Sequence, residues 1–396
     1  MGTILPARRS HIVFDLTDER VSVTVGMVED EVPHMHVLWS SDIVYATLRI
    51  QSPLDRCKRL CAAFMEIVSS TAQEGIPALS RSQGDVRHMT VTCALAYPWS
   101  FSNASLASLD FKERKPIEHG VLDTLRAGGY TKLLDSSSCR TWSNVYGTAT
   151  ILQQYDQSVL LDGYQIPHIH RHEARSAAVH SLTSLTPTDT INKIRSIVHG
   201  TFSHHRVEFH AATYLFTRSE QMLHLDLTDR EVFLEIGGNH TSVTLMHGTN
   251  ILGISIIEHG TLDLLRTLAP NAASYKEAES TSISFGLEGA SLPETARGVL
   301  KDWSEHVFEQ MTELADGITP PYHVVIAVQE VWYQHYMSAL TENSISHIAR
   351  GGQQKCKVFS LCDMEDNDGV AKKKCGTSDR RAAILCTAVD KLARHP

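Results

Sequence analysis

The sequence predicts a mixed α/β protein built from two or more compact units. Residues 21–25 alternate valine with serine and threonine, as a half-buried strand does. Residues 54–70 repeat apolar side chains every three or four positions, which is typical of an amphipathic helix. The length of 396 residues exceeds what one small core usually organises.

The first hundred residues are expected to form strand, strand, helix, strand. A first strand covers residues 11–15, DLTDER forms a turn, and residues 21–25 form the second strand. Another strand is plausible at residues 36–39. The helix over 54–70 is followed by HMTVTCALAYP, a buried strand that Pro98 ends. This order is typical of an α/β protein and not of a helical bundle.

Residues 102–185 change to shorter, more polar segments, including a turn at Leu-Asp-Gly-Tyr, and predict a small α+β insert. TPTDTINKIRSIVHG then predicts a helix that Gly200 ends. Later come FLEIGGNHTSVTL, read as strand–turn–strand, and SIIEHGTLDLLRTLAP, read as a helix that ends at Pro270. LPETARGVLKDWSEHVFEQMTELADG predicts another helix, HVVIAVQEV a strand running into a helix, and DRRAAILCTAVDKLARHP a terminal helix.

Composition excludes several classes of protein. The formal net charge of −9 argues against a general nucleic-acid binder, whose binding face is usually basic. No apolar run approaches the ~20 residues that span a bilayer. MGTILPARRSHIVF lacks the long apolar segment of a secretory signal, so we expect a cytoplasmic protein without a transmembrane segment.

The spacing of the cysteines and histidines does not predict a defined metal site. The eight cysteines form no CxxC pair, and reduced thiols are the expected state. In HIHRH, His168, His170 and His172 would share one face of a strand and are a possible transition-metal site. No acidic or thiol partner has a spacing that fixes it nearby, so a solvated polar segment is the preferred interpretation.

The sequence contains an internal echo. With a shift of 220 residues, FDLTDERVSVTV falls on LEIGGNHTSVTL, which pairs Asp15 with Glu235 and Ser22 with Ser242. Two halves would then each begin with a strand, an acidic residue, a tight turn and a second strand. The alternative is that Gly237 and Gly238 only permit a tight turn in an ordinary hairpin.

Two α/β lobes that each open in this way resemble the actin-like ATPase superfamily. The insert narrows the resemblance to the FtsA/PilM branch, bacterial proteins of cell division and type IV pilus assembly. HMTVTCALAYPWS, SIIEHGTLDLLRTLA and DRRAAILCTAVDKL also fit that pattern. The resemblance implies an actin-like (ribonuclease H-like) two-lobed fold. Lobe I covers residues 1–101 and 186–222, the insert residues 102–185, and lobe II residues 223–396.

The resemblance also implies a nucleotide site between the lobes. Asp15 and Glu235 would hold Mg²⁺ through water, and the glycine pair would bring backbone N–H groups to the phosphates of ATP. The implied ATP-binding residues are Asp15, Thr17, Glu235, Gly237, Gly238, Asn239, Thr241 and Ser242. No catalytic residue is assigned, and at most weak ATP hydrolysis is expected.

Three departures from the family's pattern bear on that site. Thr17 stands where the first phosphate loop usually has glycine, and Asp18 and Glu19 put negative charge where phosphates would lie. Like charges ~4 Å apart repel by about 1 kcal/mol even in bulk water. Ala327, Val328 and Gln329 replace the glycines that receive the adenosine.

Three functions follow as hypotheses. The first is a cytoplasmic scaffold that recruits or organises membrane-associated division or pilus machinery, biased by ATP if ATP binds, with the insert as its protein-contact surface. Its partners would be proteins at the cytoplasmic face of the membrane, and it would have the option of self-association. The second is a small-molecule kinase of the same superfold. The third is a nucleotide-free structural protein.

Overall fold

The computed structural model describes most of the chain in several stretches. The described residues are 8–29, 32–49, 52–82, 84–166, 172–218, 230–248, 250–287, 292–315, 323–328, 330–348 and 357–360. His168, His170, Gln329 and the expected terminal helix lie outside them. No helix in these stretches is long and apolar enough to cross a bilayer.

The first sheet contains five strands in the order β3-β2-β1-β4-β9. The strands are β1 (Arg8–Leu16), β2 (Arg20–Glu29), β3 (Val32–Val44), β4 (Thr90–Leu95) and β9 (Arg206–Ala211). β1 pairs antiparallel with β2 and parallel with β4. β1, β2 and β4 are almost wholly buried. Their side chains belong to two different core clusters, one of which includes the helices that cover this sheet.

The first sheet is covered by two amphipathic helices. They are α1 (Pro53–Ser70), which continues through a π turn (Thr71–Gly75) into α2 (Ile76–Arg81), and α5 (Thr188–Phe202). Ser52 caps α1 by accepting the backbone N–H of Asp55, and Pro53 occupies its first turn. The expected helix over residues 54–70 is therefore confirmed. Its apolar side packs on Phe14 and Trp99 within one core cluster.

The second sheet has the equivalent order β12-β11-β10-β13-β14. The strands are β10 (Arg230–Ile236), β11 (Thr241–His247), β12 (Asn250–Ile257), β13 (His323–Ala327) and β14 (Lys357–Ser360). Its helices are α7 (Thr261–Leu268), α8 (Tyr275–Leu287), α9 (Glu294–Ala315) and α10 (Glu330–Ile348). Each sheet thus starts with an antiparallel hairpin followed by a parallel strand, so the internal echo corresponds to a repeated topology.

One helix prediction was partly wrong. SIIEHGTLDLLRTLAP was expected to be helical throughout, but β12 extends to Ile257 and α7 begins at Thr261. Asp263 accepts the backbone N–H of Gly260 and so caps the helix start. A short segment such as Ser-Ile-Ile fits a buried strand as well as a helix. Here its pairing with β11 makes the segment a strand.

A third sheet forms the insert, in the order β5-β8-β6-β7. It contains β5 (Phe101–Pro116), β6 (Ala149–Leu161), β7 (Tyr164–Gln165) and β8 (Glu173–Pro187), with α3 (His119–Asp135) and α4 (Ser137–Tyr146) between β5 and β6. Asp162 and Gly163 have positive φ values of 49° and 83°, as the expected tight turn requires. The predicted boundaries of the insert and the two lobes stay predictions.

A cluster of buried apolar side chains joins the first and second sheets. Val13 and Ala94 from the first sheet lie in it with Phe233 and Val325 from the second, and α6 (Ala212–Arg218) contributes Phe216. The rings of Phe216 and Phe233 are 5.3 Å apart. The two sheets therefore share a core and are expected to unfold together.

Phe233→Ala tests this shared core. The side chain is 1% exposed, so truncation should lower the free energy of unfolding by about 3–5 kcal/mol. Denaturant unfolding followed by circular dichroism and tryptophan fluorescence should give one coincident transition. The control is Tyr164→Ala, at a side chain 75% exposed, which should change stability by less than about 0.5 kcal/mol. Two separated transitions would contradict a shared core.

Candidate functional site: the interlocked hairpin turns

Two equivalent hairpin turns meet between the first and second sheets. In the first hairpin (β1, β2 and the turn between them), Thr17 N–H donates to the Arg20 carbonyl at 3.0 Å. In the second hairpin (β10, β11 and their turn), Gly237 N–H donates to the His240 carbonyl at 2.9 Å. The 220-residue shift relates the donors and also the acceptors, so Asp18 is the positional equivalent of Gly238.

The Asp18 carboxylate lies inside the second hairpin's turn. Its Oδ1 accepts the backbone N–H of Gly238 at 2.7 Å, and its Oδ2 accepts that of Asn239 at 2.7 Å. Oδ2 is also 3.4 Å from the Asn239 side-chain Nδ2 and 3.2 Å from Nδ1 of His240. Asp18 is 1% exposed, so a charged group is buried with four hydrogen-bonding partners, all from the second hairpin.

The glycines of the second hairpin permit this approach. A Cβ on Gly237 would lie 2.6 Å from Oδ1 of Asp18, and a Cβ on Gly238 would lie 3.0 Å from the Cβ of Glu19. The glycine pair thus admits the side chains of the first hairpin. Gly260 is required for a related reason, because its Cβ would lie 2.5 Å from the carbonyl oxygens of both glycines.

Glu19 connects the first hairpin to the starts of α7 and α8. Thr261, at the start of α7, donates its hydroxyl to Oε2 of Glu19 at 3.0 Å, and the Tyr275 hydroxyl donates to the same oxygen at 3.4 Å. Arg20 Nε lies 3.4 Å from Oε1 of Glu19. Glu19 is 4% exposed, so it too is a buried charge with partners.

Two aromatic side chains, Trp99 and Tyr45, donate hydrogen bonds to the first turn. The Thr17 carbonyl accepts the indole N–H of Trp99 at 2.8 Å and the hydroxyl of Tyr45. Trp99 and Tyr45 are 1% and 6% exposed. Burial and the nearby Asp18 charge raise the pKa of Tyr45 well above its usual value, so the hydroxyl stays a donor. The turn that carries Asp18 is therefore anchored by hydrogen bonds from two buried aromatic side chains.

The predicted metal-orienting residues line one small cavity between the hairpins. Asp15, Glu235, Gly237 and Ser242 border it, together with Thr17. Its volume is about 70 Å³. Val328, where the resemblance implies a glycine, is also in its wall.

The remaining predicted residues have other contacts. The Thr241 hydroxyl donates to the His259 carbonyl at 2.7 Å and accepts the indole N–H of Trp303 at 2.9 Å, so it is directed into the core of the second sheet. The Asn239 side-chain oxygen accepts Nη2 of Arg266 at 3.0 Å. Thr17 uses its hydroxyl within its own turn, on the Arg20 carbonyl at 3.1 Å.

Comparisons with known proteins give structural neighbours only. No protein-family model matches the sequence. No curated protein is similar to it by sequence. Among solved structures, the PilM–PilN type IV pilus biogenesis complex has a TM-score of 0.60 at 10% identity, covering 96% of this chain and 98% of that one. The ethanolamine utilization protein EutJ from Carboxydothermus hydrogenoformans has a TM-score of 0.45 at 10% identity, with 98% and 91% covered.

The chain has an actin-like fold. The expected α/β class, with two lobes and an inserted α+β unit, is confirmed, and so is the resemblance to the PilM-type branch at the level of the fold. At 10% identity this likeness shows the fold alone.

In this actin-like cleft, the donors expected to hold phosphate already have an acceptor. The N–H groups of Gly238 and Asn239 are used by Asp18. Ligand pockets typically have volumes of ~300–1,000 Å³. The 70 Å³ cavity has room for a few water molecules or a hydrated cation and not for a triphosphate. The position between the two turns therefore does not fit the phosphates of ATP in this closed arrangement.

Sequence reasoning missed most of the groups that complete this site. Asp18 and Glu19 were noted only as negative charges that oppose phosphates, and His240, Thr261 and Tyr275 were not considered. The available signal was the 220-residue shift itself, which places Asp18 opposite Gly238. Of the described residues, no group of three or more His, Cys, Asp and Glu side chains is arranged to hold a metal.

Asp18→Asn tests the energetic role of the carboxylate. The change removes a buried charge and turns an amide NH₂ toward one of the two backbone donors, so the free energy of unfolding should fall by about 2–4 kcal/mol. Asp42→Asn is the control, since Asp42 is 37% exposed and has one 3.4 Å ion pair with Arg20. It should cost less than about 1 kcal/mol. Equal losses in the two variants, measured by urea denaturation, would contradict the role given to Asp18.

The pKa of Asp18 predicts how this contribution varies with pH. Burial by itself would raise the pKa, but the hydrogen bond and charge of His240 and the N–H groups of Asn239 and Gly238 outweigh burial, so the pKa lies below 3.8. A carboxylate whose pKa is lower in the folded protein than in the unfolded chain stabilises the folded state at pH values above the unfolded pKa. This stabilisation is lost as the pH falls through the folded pKa.

The stability difference between wild type and Asp18→Asn should therefore be constant above pH ~5 and shrink below pH ~4. Urea denaturation of both proteins across this range measures it. A difference that grows on acidification would show that Asp18 is protonated in the folded protein at neutral pH.

Proposed function

We propose that this protein is an actin-fold scaffold whose closed conformation depends on Asp18 and Glu19 and not on a bound nucleotide. The observation that carries the proposal is the Asp18 carboxylate in the turn of the second hairpin, bonded to the N–H groups of Gly238 and Asn239. A carboxylate there supplies negative charge and acceptor oxygens, as a phosphate would. The chain thus contains its own substitute for the phosphate.

The role as a scaffold rests on the likeness to PilM, which was solved in a pilus biogenesis complex with PilN. We propose that this chain likewise holds a protein partner of membrane-associated machinery, from the cytoplasmic side, with a pilus-type assembly preferred over a division role. A fixed closed cleft suits such a role, because a constant surface is presented without a nucleotide cycle. A kinase, in contrast, needs a transferable phosphate where Asp18 now lies.

Nucleotide independence predicts a clear titration result. Wild-type protein should show no saturable binding of ATP with Mg²⁺ up to about 5 mM in isothermal titration calorimetry. The double variant Asp18→Gly with Glu19→Gly gives the first turn glycines like those of the second and frees the Gly238 and Asn239 donors. It should bind ATP more tightly than wild type, and ATP should raise its melting temperature.

Saturable wild-type binding of ATP at any concentration up to about 5 mM would contradict the proposal. So would transfer of phosphate from ATP to a small molecule by the wild-type protein.

A second experiment addresses the scaffold role itself. Affinity purification from native cells should recover the same partners with and without apyrase and EDTA, which remove nucleotides and Mg²⁺. Partner recovery should fall with Asp18→Asn and be unchanged with Asp42→Asn. Loss of partners after nucleotide removal from wild type would support an ATP-switched scaffold instead.

A further inference from the structure

A larger cavity of about 530 Å³ lies beside the Asp18–His240 contact. Its walls come from the start of α1, from α4 of the insert, and from β12 and α7 of the second sheet. This volume falls in the range of small-ligand sites, which favour places where several structural units meet. No role in the site described above uses this cavity.

One cation in the wall has an unused buried donor. Arg56 lies with its guanidinium carbon 5.7 Å from the ring centre of Tyr146, and its Nε atom is buried with no hydrogen-bond partner. Arg266, by contrast, uses its nitrogens on Asp263, Asn239 and the Leu48 carbonyl. A buried donor without a partner is costly, and rotation of the partly exposed Arg56 side chain would let an acceptor in the cavity remove that cost.

The charged side chains around the cavity balance in number, with Arg49, Arg56 and Arg266 against Asp18, Glu258 and Asp263. Asp18 is satisfied by the second hairpin, and Asp263 is paired with Arg266 at 2.8 Å. Arg49 and Arg56 then face one further lining carboxylate, the exposed Glu258. Since Asp18 and Asp263 have fixed partners, an anionic group would be attracted most directly to Arg56 and Arg49.

Part of the remaining wall is apolar and aromatic, and the remainder includes serine and threonine residues. α4 contributes Trp142 and Tyr146, and β12 contributes Ile254 and Ile256 from the opposite side. Ser138 also borders the space. A ligand that fills such a cavity needs an apolar body as well as an anionic group, since inorganic anions would leave the apolar wall in contact with water.

We propose that this cavity binds a small organic acid, with its carboxylate or phosphate group on Arg56 and its apolar body between Tyr146 and Ile254. Arginine suits this role because its planar fork binds both kinds of group through paired hydrogen bonds. The walls come from both sides of the cleft, so the ligand binds the closed conformation and stabilises it.

Calorimetric titrations with defined probes test the proposal. 3-Phenylpropionate and phenyl phosphate represent the two anionic groups, 3-phenylpropan-1-ol is the uncharged match, and inorganic phosphate is the anion without an apolar body. At least one of the two acids should saturate with a Kd below about 1 mM, at least tenfold tighter than the alcohol or inorganic phosphate. The acid that binds tighter identifies the class of anionic group.

Matched arginine variants assign the binding to this cavity. Arg56→Gln should weaken the better acid at least tenfold, while Arg59→Gln, on the same helix but not in the cavity wall, should leave it unchanged. Arg56 is partly exposed, so the variant should fold, and a melting temperature close to that of wild type verifies this. Ser138→Trp, which fills the cavity, should abolish binding of the acid.

Three results would overturn the proposal. They are a Kd above about 1 mM for both acids, equal affinity for acid and alcohol, and equal binding by Arg56→Gln and Arg59→Gln. These titrations contain neither nucleotide nor partner protein. Their failure therefore leaves the proposed scaffold function untouched. Failure of the nucleotide or partner experiments likewise leaves the proposed acid site untouched.

Discussion

The interaction on which the cleft depends is the buried carboxylate of Asp18 in the turn of the second hairpin. Removing a carboxylate from water costs several kcal/mol unless hydrogen bonds replace its hydration. Here two backbone N–H groups and two side chains of the second hairpin surround it at 2.7–3.4 Å. Opening the cleft would exchange these hydrogen bonds for bonds to water, and hydrogen bonds to a charged group favour the closed state by about 1.5–3 kcal/mol each.

The repeated topology explains why this contact forms. Each sheet places a hairpin turn after its first strand, and the two turns meet between the sheets. A pair of small turns facing each other leaves a space that a ligand or a side chain can fill. In this chain the second turn has kept its glycines and the first carries Asp18 and Glu19. The side chains of one repeat thus occupy the turn of the other, and Glu19 extends the contact to Thr261 and Tyr275.

Periodicity and the internal shift predicted much of the fold. The alternating residues of β2 and the three- and four-residue steps of α1 gave both elements correctly, and the shift related Asp15 to Glu235 as the structure does. The start of α7 was misplaced, because Ser255–Ile257 fits a strand or a helix until its pairing partner is known. The contact of Asp18 with the second turn was not predicted, since the 220-residue shift equates Asp18 with Gly238 but does not show that the two turns meet.

Amide exchange at Gly238 and Asn239, measured by NMR, tests the central claim most directly. In wild-type protein without nucleotide, both N–H groups should exchange slowly, and adding ATP with Mg²⁺ should not change their rates. In Asp18→Ala both should exchange much faster, while the paired amides of β11 remain protected. Fast exchange in wild type, or slow exchange only when ATP is present, would contradict an internal carboxylate in the phosphate's place.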